Sequence, residues 1–211
     1  QEFLDFPDVT EALDDPNGLL CAGGDLSPER LKLAYSRGIF PWFSDGEPIL
    51  WWSPDPRLIL EPTAFRFRRS LKQSIKKHAF EIRINTCFQD LIHLCASTRT
   101  KNEGTWITEA MIKAYLALHQ AGTAISFEAF SDNRLLGGLY GVKIGKVFFG
   151  ESMVSLVPDA SKAALAKLCQ EANFHQIELI DCQIPTSHLH SLGASLITRE
   201  EFIERITTLI S

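Results

Sequence analysis

The chain has 211 residues, of which 45% are hydrophobic and 22% are charged, and its formal net charge is -5 at pH 7. This composition is ordinary for a folded globular protein, and no apolar run reaches the roughly 20 residues needed to cross a membrane. The negative charge argues against a general nucleic-acid binder. The five cysteines form no C-x-x-C pair, so we expect reduced thiols rather than a disulfide framework or a zinc site. The first residues show no signal-peptide pattern, so a cytoplasmic location is predicted.

The first clear element is a helix over LSPERLKLAYSRG, with Ser27 as N-cap, Pro28 at the first helical position and Gly38 beyond its end. It leads into the segment GIFPWFSDGEPILWWSPDPR, residues 38–57, which contains three tryptophans, two phenylalanines and four prolines. Prolines remove backbone donors and restrict φ, so this segment is predicted to be a stiff extended or turning path and not a helix. Large flat side chains on a stiff backbone indicate a surface built to bind something.

A basic stretch follows between Pro62 and Phe80, where no acidic residue occurs. A helix that begins near Ser70 would place positions 69, 72 and 76 on one face, as a basic stripe able to contact phosphates. A solvated helix face explains the same charges equally well. The lysines and arginines of this stretch are Arg66, Arg68, Arg69, Lys72, Lys76 and Lys77.

The rest of the chain alternates between strand and helix patterns. FEIRINT predicts a strand, and CFQDLIHLCAS and TEAMIKAYLALHQAG predict two helices joined by the polar loop TRTKNEGTWIT, which carries Trp106. AISFEAF, RLLGGLYGVK and KVFFGES predict an antiparallel meander. A helix from Asp159, the apolar strand IELIDCQI and a final helix with Thr198 and Glu201 in capping-box spacing complete the chain.

This order of helix, helix, three strands, helix and strand resembles the acyltransferase fold of the GNAT (GCN5-related N-acetyltransferase) type. We place a domain boundary between residues 62 and 85, which divides the chain into 1–62 and 63–211, with the basic stretch in the second part. Binding of acyl-CoA would need a glycine-rich turn that offers backbone N–H groups to pyrophosphate. The turn SMVSLVPDASK has no glycine and places Asp159 where a phosphate would be repelled. We therefore expect a different acyl donor.

Three polar side chains next to apolar strands are candidates for chemistry. Asp181 and Gln183 lie at the end of IELIDCQI, and side chains two residues apart on a strand point the same way, so both could address one ligand. A strand-end Asp that caps a neighbouring turn is the more common structural explanation. Glu151 follows an apolar run, so it either reaches solvent or is a buried charge in need of a cationic partner. His188 and His190 have no clear third ligand, and no metal site is predicted.

Several long motifs resemble the leucyl/phenylalanyl-tRNA-protein transferase family. They are PNGLLCAGGDLSPERLKLAYSRGIFPWFSDGEPILWWSPDPR, EGTWIT, GGLYGV, FFGESM and LIDCQ followed by a histidine and SLGA, in the family's order over about residues 16 to 195. The resemblance implies transfer of Leu or Phe, and less readily Met, from Leu-tRNA or Phe-tRNA to a protein that begins with Arg or Lys. That transfer marks the acceptor for degradation by the bacterial N-end rule.

The resemblance also implies the fold and the partners. It predicts an α+β protein with a small N-terminal domain and a larger GNAT-like acyltransferase domain built on a mostly antiparallel mixed sheet. We expect a monomer that needs no metal, no diffusible cofactor and no membrane.

The resemblance places the terminal adenosine of the tRNA against Trp42 in FPWF and Trp106 in EGTWIT. Stacking of a base on an aromatic ring contributes about 1 to 3 kcal/mol. Trp51 and Trp52 either take part in this surface or brace it. The basic stretch 66–77 corresponds to the contact with the tRNA acceptor stem.

The family's reaction site corresponds to Glu151, Asp181 and Gln183. Asp181, through or beside Gln183, would direct the incoming amino group at the ester carbon, or a ribose hydroxyl would carry the proton while Asp181 only orients. Glu151 would hold the donor or the cationic end of the acceptor. The apolar pocket for the transferred side chain corresponds to Phe148, Leu139 and Met153. An acyl-CoA enzyme and a non-catalytic tRNA or N-degron binding module are the alternatives.

Overall fold

The computed structural model describes residues 5–100 and 106–211. No helix in these two ranges is both long and apolar enough to span a membrane. Within them the elements are, in chain order, β1 (Leu19–Ala22), α1 (Pro28–Ser36), β2 (Phe40–Pro41), β3 (Leu50–Trp52), β4 (Arg57–Leu60), α2 (Arg69–His78), β5 (Glu81–Ile84), α3 (Phe88–Thr100), α4 (Glu109–Gln120), β6 (Ala124–Ser131), β7 (Arg134–Ile144), β8 (Val147–Ser155), α5 (Ala160–Gln170), β9 (Leu179–Gln183), α6 (Ser187–Ser191), β10 (Ser195–Ile197) and α7 (Arg199–Ile210).

The helices that the sequence predicts are confirmed, and their caps explain where they begin. The Ser27 hydroxyl accepts a hydrogen bond from the Arg30 N–H at the start of α1. The side chains of Thr108 and Thr198 cap α4 and α7 in the same way. Helix α3 continues to Thr100, so the beginning of the predicted loop is helical. Residues 101–105 of that loop lie outside the described residues.

The larger sheet has seven strands among the described residues, in the order β10-β4-β9-β8-β7-β6-β5. Its neighbours pair antiparallel except β8 and β9, which are parallel and are joined through α5. Side chains alternate between the two faces of β8: Phe148 packs into a core with α5, whereas Phe149 packs into a core with α1, α3 and α4. The predicted α+β class and mostly antiparallel mixed sheet are confirmed.

The aromatic segment forms a small sheet in which β3 lies between β1 and β2. It contains no helix among its residues 38–57, as the prolines predict. Strand β4 comes next, and all four of its residues are buried because it lies between β10 and β9 of the larger sheet. A division of the chain into 1–62 and 63–211 therefore does not separate the two sheets, since β4 precedes residue 62.

An irregularity in β8 determines where Glu151 lies. Tyr140 of β7 pairs with Ser152, whereas the next residue, Gly141, pairs with Gly150, so Glu151 is the extra residue of a β-bulge. Bulges bend a strand and re-aim a side chain, and they are common beside active sites. The strands approach closely here, because a Cβ on Gly141 would lie 2.2 Å from a carbonyl oxygen of β8. The bulge thus turns Glu151 out of the regular alternation of the strand.

Candidate active site

A cavity of about 970 Å³ lies between the small sheet and the adjoining parts of β7, β8 and β9, with α6 at one side. This volume is within the usual range for sites that bind small molecules or cofactors. Its lining is mainly aromatic and aliphatic, with polar residues among them. The side chains that the sequence assigns to chemistry and to binding meet here, apart from the basic stretch, and the lining includes Trp42, Trp106, Leu139, Phe148, Glu151, Met153, Asp181 and Gln183.

The tryptophans of the aromatic segment have different positions. Trp42 lines the cavity and is 46% exposed, which leaves part of its ring free for contact. Trp52 also lines the cavity and braces Trp42, because its indole N–H donates to the Trp42 carbonyl at 2.7 Å and the two rings meet edge to face. Trp51 is buried in the core, where its N–H donates to the Gly23 carbonyl at 2.9 Å. Trp51 is thus a packing residue and Trp52 a bracing one.

The apolar part of the cavity is formed from several elements. Phe148 and Leu139 are almost fully buried, and Met153 pairs with Leu139 across β7 and β8. Three further aliphatic residues line the same space from α5, β9 and α6, and the sequence did not point to them: Leu165, Ile180 and Leu189. The enclosure by five elements suits a branched or aromatic side chain.

Asp181 is engaged on both of its oxygens by a buried arginine. Arg57 of β4 donates from Nε to Asp181 Oδ1 at 2.9 Å and from Nη2 to Oδ2 at 2.7 Å, and both side chains are completely buried. The third donor of Arg57, Nη1, binds the Gly38 carbonyl at 2.9 Å. A bidentate pair of this kind satisfies a buried carboxylate. Asp181 is therefore held inside the protein and is not presented as an open acceptor.

Gln183 has a left-handed backbone, with a φ of 66°. This conformation interrupts the strand alternation from which Asp181 and Gln183 were expected to point the same way. The Gln183 backbone N–H donates to Asp181 Oδ1 at 2.9 Å, whereas its side-chain amide donates to Glu151 Oε1 at 3.0 Å. Gln183 thus joins the buried ion pair to the carboxyl group of Glu151.

Glu151 is only 8% exposed and lines the cavity. The Tyr35 hydroxyl donates to its Oε1 at 2.5 Å, and the hydroxyls of Tyr35 and Tyr115 are hydrogen-bonded to each other. Burial raises the pKa of Glu151 to about 8, and the charge of Asp181 acts in the same direction, while the hydrogen bonds from Tyr35 and Gln183 lower the pKa. The partners of this buried acid are therefore hydroxyls and an amide, and not the cation that a buried charge was expected to need.

Sequence reasoning missed Arg57, Tyr35 and Tyr115. Arg57 begins the apolar run RLIL, and an arginine in a fully buried strand needs an acidic partner, so its position was a usable signal. Tyr35 and Leu31 lie on the buried face of α1, where a tyrosine is as easily a core residue as a site residue. Nothing in the local pattern around Tyr115 distinguishes it from ordinary core packing.

All six lysines and arginines of the basic stretch 66–77 are exposed. Lys72 lies over the Phe67 ring, with its Nζ 5.1 Å from the ring centroid. The Arg66 N–H donates to the Leu192 carbonyl at 2.8 Å, just beyond the end of α6. Because α6 lines the cavity through His188, the basic stretch begins next to one side of the cavity. No group of three or more potential metal ligands occurs within 5–100 and 106–211.

Two family models match the chain. The leucyl/phenylalanyl-tRNA protein transferase model matches residues 59–207, and the model of that family's N-terminal domain matches residues 24–55. The chain belongs to this family. The leucyl/phenylalanyl-tRNA--protein transferase of Nitrosospira multiformis is 53% identical over 98% of this chain and 89% of its own length. The same-named protein of Azoarcus sp. is 54% identical over 93% and 84%.

Among solved structures, FemX has a TM-score of 0.50 and 11% identity, over 85% of this chain and 71% of its own. At this identity the likeness concerns the fold alone, and it agrees with a GNAT-like acyltransferase domain. The family resemblance that the motifs indicate is therefore confirmed, and so is the GNAT-like fold with a separate N-terminal family domain.

Proposed function

We propose that the chain moves Leu or Phe from a charged tRNA to the N-terminal amino group of a protein, in the cytoplasm. Its family membership supports the reaction class, because the relatives are named for it. The observation that carries the chemistry is Glu151, a buried carboxyl with a pKa of about 8 that lines an aromatic cavity. An α-amino group has a pKa of about 7.7 to 8.0, so acid and amine are matched for proton exchange.

The cavity suits the end of an aminoacyl-tRNA. Trp42 and Trp106 would stack against the terminal adenosine, with Trp52 holding Trp42 in place. The transferred side chain would enter the apolar space around Leu139, Phe148 and Met153. Apolar fit discriminates by about 1 to 3 kcal/mol per methylene group, which permits both Leu and Phe, with Met as a poorer substrate.

The proposed reaction needs one proton transfer to Glu151 and one from it. The amine nitrogen attacks the ester carbonyl carbon, a C–N bond forms, and the bond from that carbon to the 3′ oxygen of the adenosine breaks. The nitrogen loses one proton and the 3′ oxygen gains one. Glu151 lines the cavity and accepts the first proton and supplies the second, so it ends in its starting state. Holding amine and ester together contributes several further kcal/mol.

In this mechanism Asp181 is a positioning residue and not the base. Both of its oxygens are bound by Arg57, and one also accepts from the Gln183 N–H. This arrangement holds the Gln183 amide against Glu151 Oε1. Gln183 in turn orients the Glu151 carboxyl toward the substrates.

The acceptor is a protein that begins with Arg or Lys, and the product carries a new N-terminal residue that serves as a degradation signal. We place the acceptor stem of the tRNA along the basic stretch 66–77, whose basic side chains are exposed and which begins next to one side of the cavity. The enzyme acts as a monomer.

The two alternatives have less support. The turn from β8 to α5 has no glycine, and Asp159 occupies the N-cap of α5, where a pyrophosphate of acyl-CoA would meet a negative charge. A non-catalytic binding module would not need a carboxyl group whose burial disfavours its ionised form.

Transfer of labelled Leu from charged tRNA to peptides tests the proposal. We expect label in peptides that begin with Arg or Lys and none in a peptide that begins with Gly. Glu151→Gln should lower the rate by about 100-fold or more, the usual contribution of a general base. Glu178→Gln is the matched control, because Glu178 is exposed and paired with Lys146 outside the cavity. Binding of tRNA without transfer to any peptide would favour the binding module.

A further inference from the structure

Two tyrosines form a buried hydrogen-bonded pair behind Glu151. Tyr35 comes from α1 and Tyr115 from α4, and both side chains are fully buried. Their hydroxyls bond to each other, and the Tyr35 hydroxyl also donates to Glu151 Oε1 at 2.5 Å. The pair thus links two helices to the bulge of β8.

Packing alone does not account for these hydroxyls. The Tyr35 ring lies against Phe149 and the Tyr115 ring against Tyr140, and phenylalanines would make the same ring contacts. A buried hydroxyl without a partner costs free energy, so each hydroxyl has to be satisfied. Here the partner is the carboxyl group that lines the cavity.

The direction of the hydrogen bonds follows from the proton count. Tyr35 has one hydroxyl proton, and it is donated to Glu151, so Tyr35 can only accept from Tyr115. Gln183 donates to the same Oε1 from the other side. Neighbouring hydrogen bonds of this kind strengthen one another in a low-dielectric interior.

We propose that Tyr35 is a positioning residue for the transfer reaction: its hydroxyl, backed by Tyr115, holds the Glu151 carboxyl in one orientation in the lining of the cavity. The inference rests on the proposed role of Glu151 as the proton acceptor. It gives the N-terminal family domain a part in the chemistry, because Tyr35 lies within residues 24–55.

The tyrosines also act on the titration of Glu151. The hydrogen bond from Tyr35 lowers the Glu151 pKa, so its removal should move that pKa further above its present value of about 8. Burial raises the pKa of both tyrosines well above 10, so they stay protonated as donors. The titratable and charged groups that face Glu151, directly or through one partner, are Tyr35 on α1, Tyr115 on α4, Tyr140 on β7, Asp181 on β9 and Arg57 on β4.

The first test titrates Glu151 in the tRNA-free protein by 13C NMR of labelled glutamate carboxyls, assigned with Glu151→Gln. Tyr35→Phe should raise the Glu151 pKa by about 1 pH unit. Tyr115→Phe should shift the pKa in the same direction by less, and it keeps the test open if Tyr35→Phe does not fold. An unchanged Glu151 titration in both variants would overturn the proposal.

The second test is the pH dependence of transfer. A shift of about 1 pH unit in Glu151 predicts that Tyr35→Phe loses about tenfold in rate at pH 7 and about threefold at pH 8.5. Ser126→Ala is the matched control, because the buried Ser126 hydroxyl donates to the buried Glu128 at 2.6 Å outside the cavity. Its pH profile should equal that of the parent. A loss in Tyr35→Phe that is equal at both pH values would assign Tyr35 a purely structural role.

The two tests also separate this inference from the proposed function. If the parent transfers no Leu to any peptide, the proposed function fails, whereas the NMR titration still reports whether Tyr35 controls Glu151. If transfer proceeds and Glu151 titrates identically without the Tyr35 hydroxyl, only the inference fails.

Discussion

The burial that raises the pKa of Glu151 also makes the stability of the folded protein depend on pH. Its pKa is about 8 in the folded protein, against an ordinary value of 4.5, and the largest cause is burial. The folded state therefore binds this proton more tightly than the unfolded state does. The stabilisation that results is fully present below pH 4.5 and is lost as the pH rises through about 8.

Replacing Glu151 with glutamine should reveal this cost. Glutamine has the shape of the protonated acid but cannot ionise, so Glu151→Gln should be more stable than the parent at pH 8.5 by an amount on the order of a few kcal/mol. At pH 5 the two proteins should unfold almost alike. Thermal denaturation followed by circular dichroism at both pH values measures the difference. The exposed Glu178→Gln is the control variant, and an equal gain at both pH values for Glu151→Gln would rule out the linkage.

At the scale of single residues, the site could be predicted only in part. Motif matching found Glu151, Asp181 and Gln183, and all three line the cavity. It did not reveal that Asp181 is bound by Arg57, because these residues are 124 positions apart and only the pairing of β4 with β9 brings them together. The role of Asp181 at the amine followed from the family resemblance, whereas the expectation that Asp181 and Gln183 point the same way followed from strand alternation, which the left-handed residue at 183 interrupts.

At the scale of elements, a visible periodicity decided what the sequence could predict, and even the four-residue β5 was found from its alternation. The long helices α1, α4, α5 and α7 and the strands β6 to β8 were predicted correctly, because periodicity is visible over many residues. The missed elements include β1, β4, β10 and α6, which have four, four, three and five residues. Such short elements are specified by tertiary pairing, since a four-residue apolar run has no period to read.

The aromatic segment combines a binding residue and a packing residue, and mutation should separate them. Trp42 is partly exposed at the cavity, so Trp42→Ala should weaken binding of charged tRNA by about 1 to 3 kcal/mol and affect unfolding far less than Trp51→Ala does. Trp51 is buried, so Trp51→Ala should lower the free energy of unfolding by about 3 to 5 kcal/mol. Filter binding and denaturant titration of both variants provide the two measurements. Normal tRNA affinity in Trp42→Ala would remove the stacking assignment.

At the scale of the whole molecule, charge is unevenly distributed. The protein has a net charge of -5, yet the stretch 66–77 exposes six basic side chains. Long-range attraction of a polyanion depends on such local fields more than on the net value. The proposed orientation of tRNA, with the acceptor stem on α2 and its end at the cavity, rests on this local charge.

The salt dependence of tRNA binding tests this orientation. Each neutralised phosphate contributes roughly 0.9 to the slope of log K against log salt, so the double variant Lys72→Ala/Lys76→Ala should reduce that slope by roughly 1 to 2. Lys32→Ala/Lys113→Ala changes the net charge equally on α1 and α4, where both lysines are exposed, and should leave the slope unchanged. An unaltered slope in the first variant would mean that α2 is simply a solvated face.

Trp42→Ala completes the comparison. The loss of a stacking contact should lower the tRNA affinity without changing the salt slope, whereas the loss of phosphate contacts should change both the affinity and the slope.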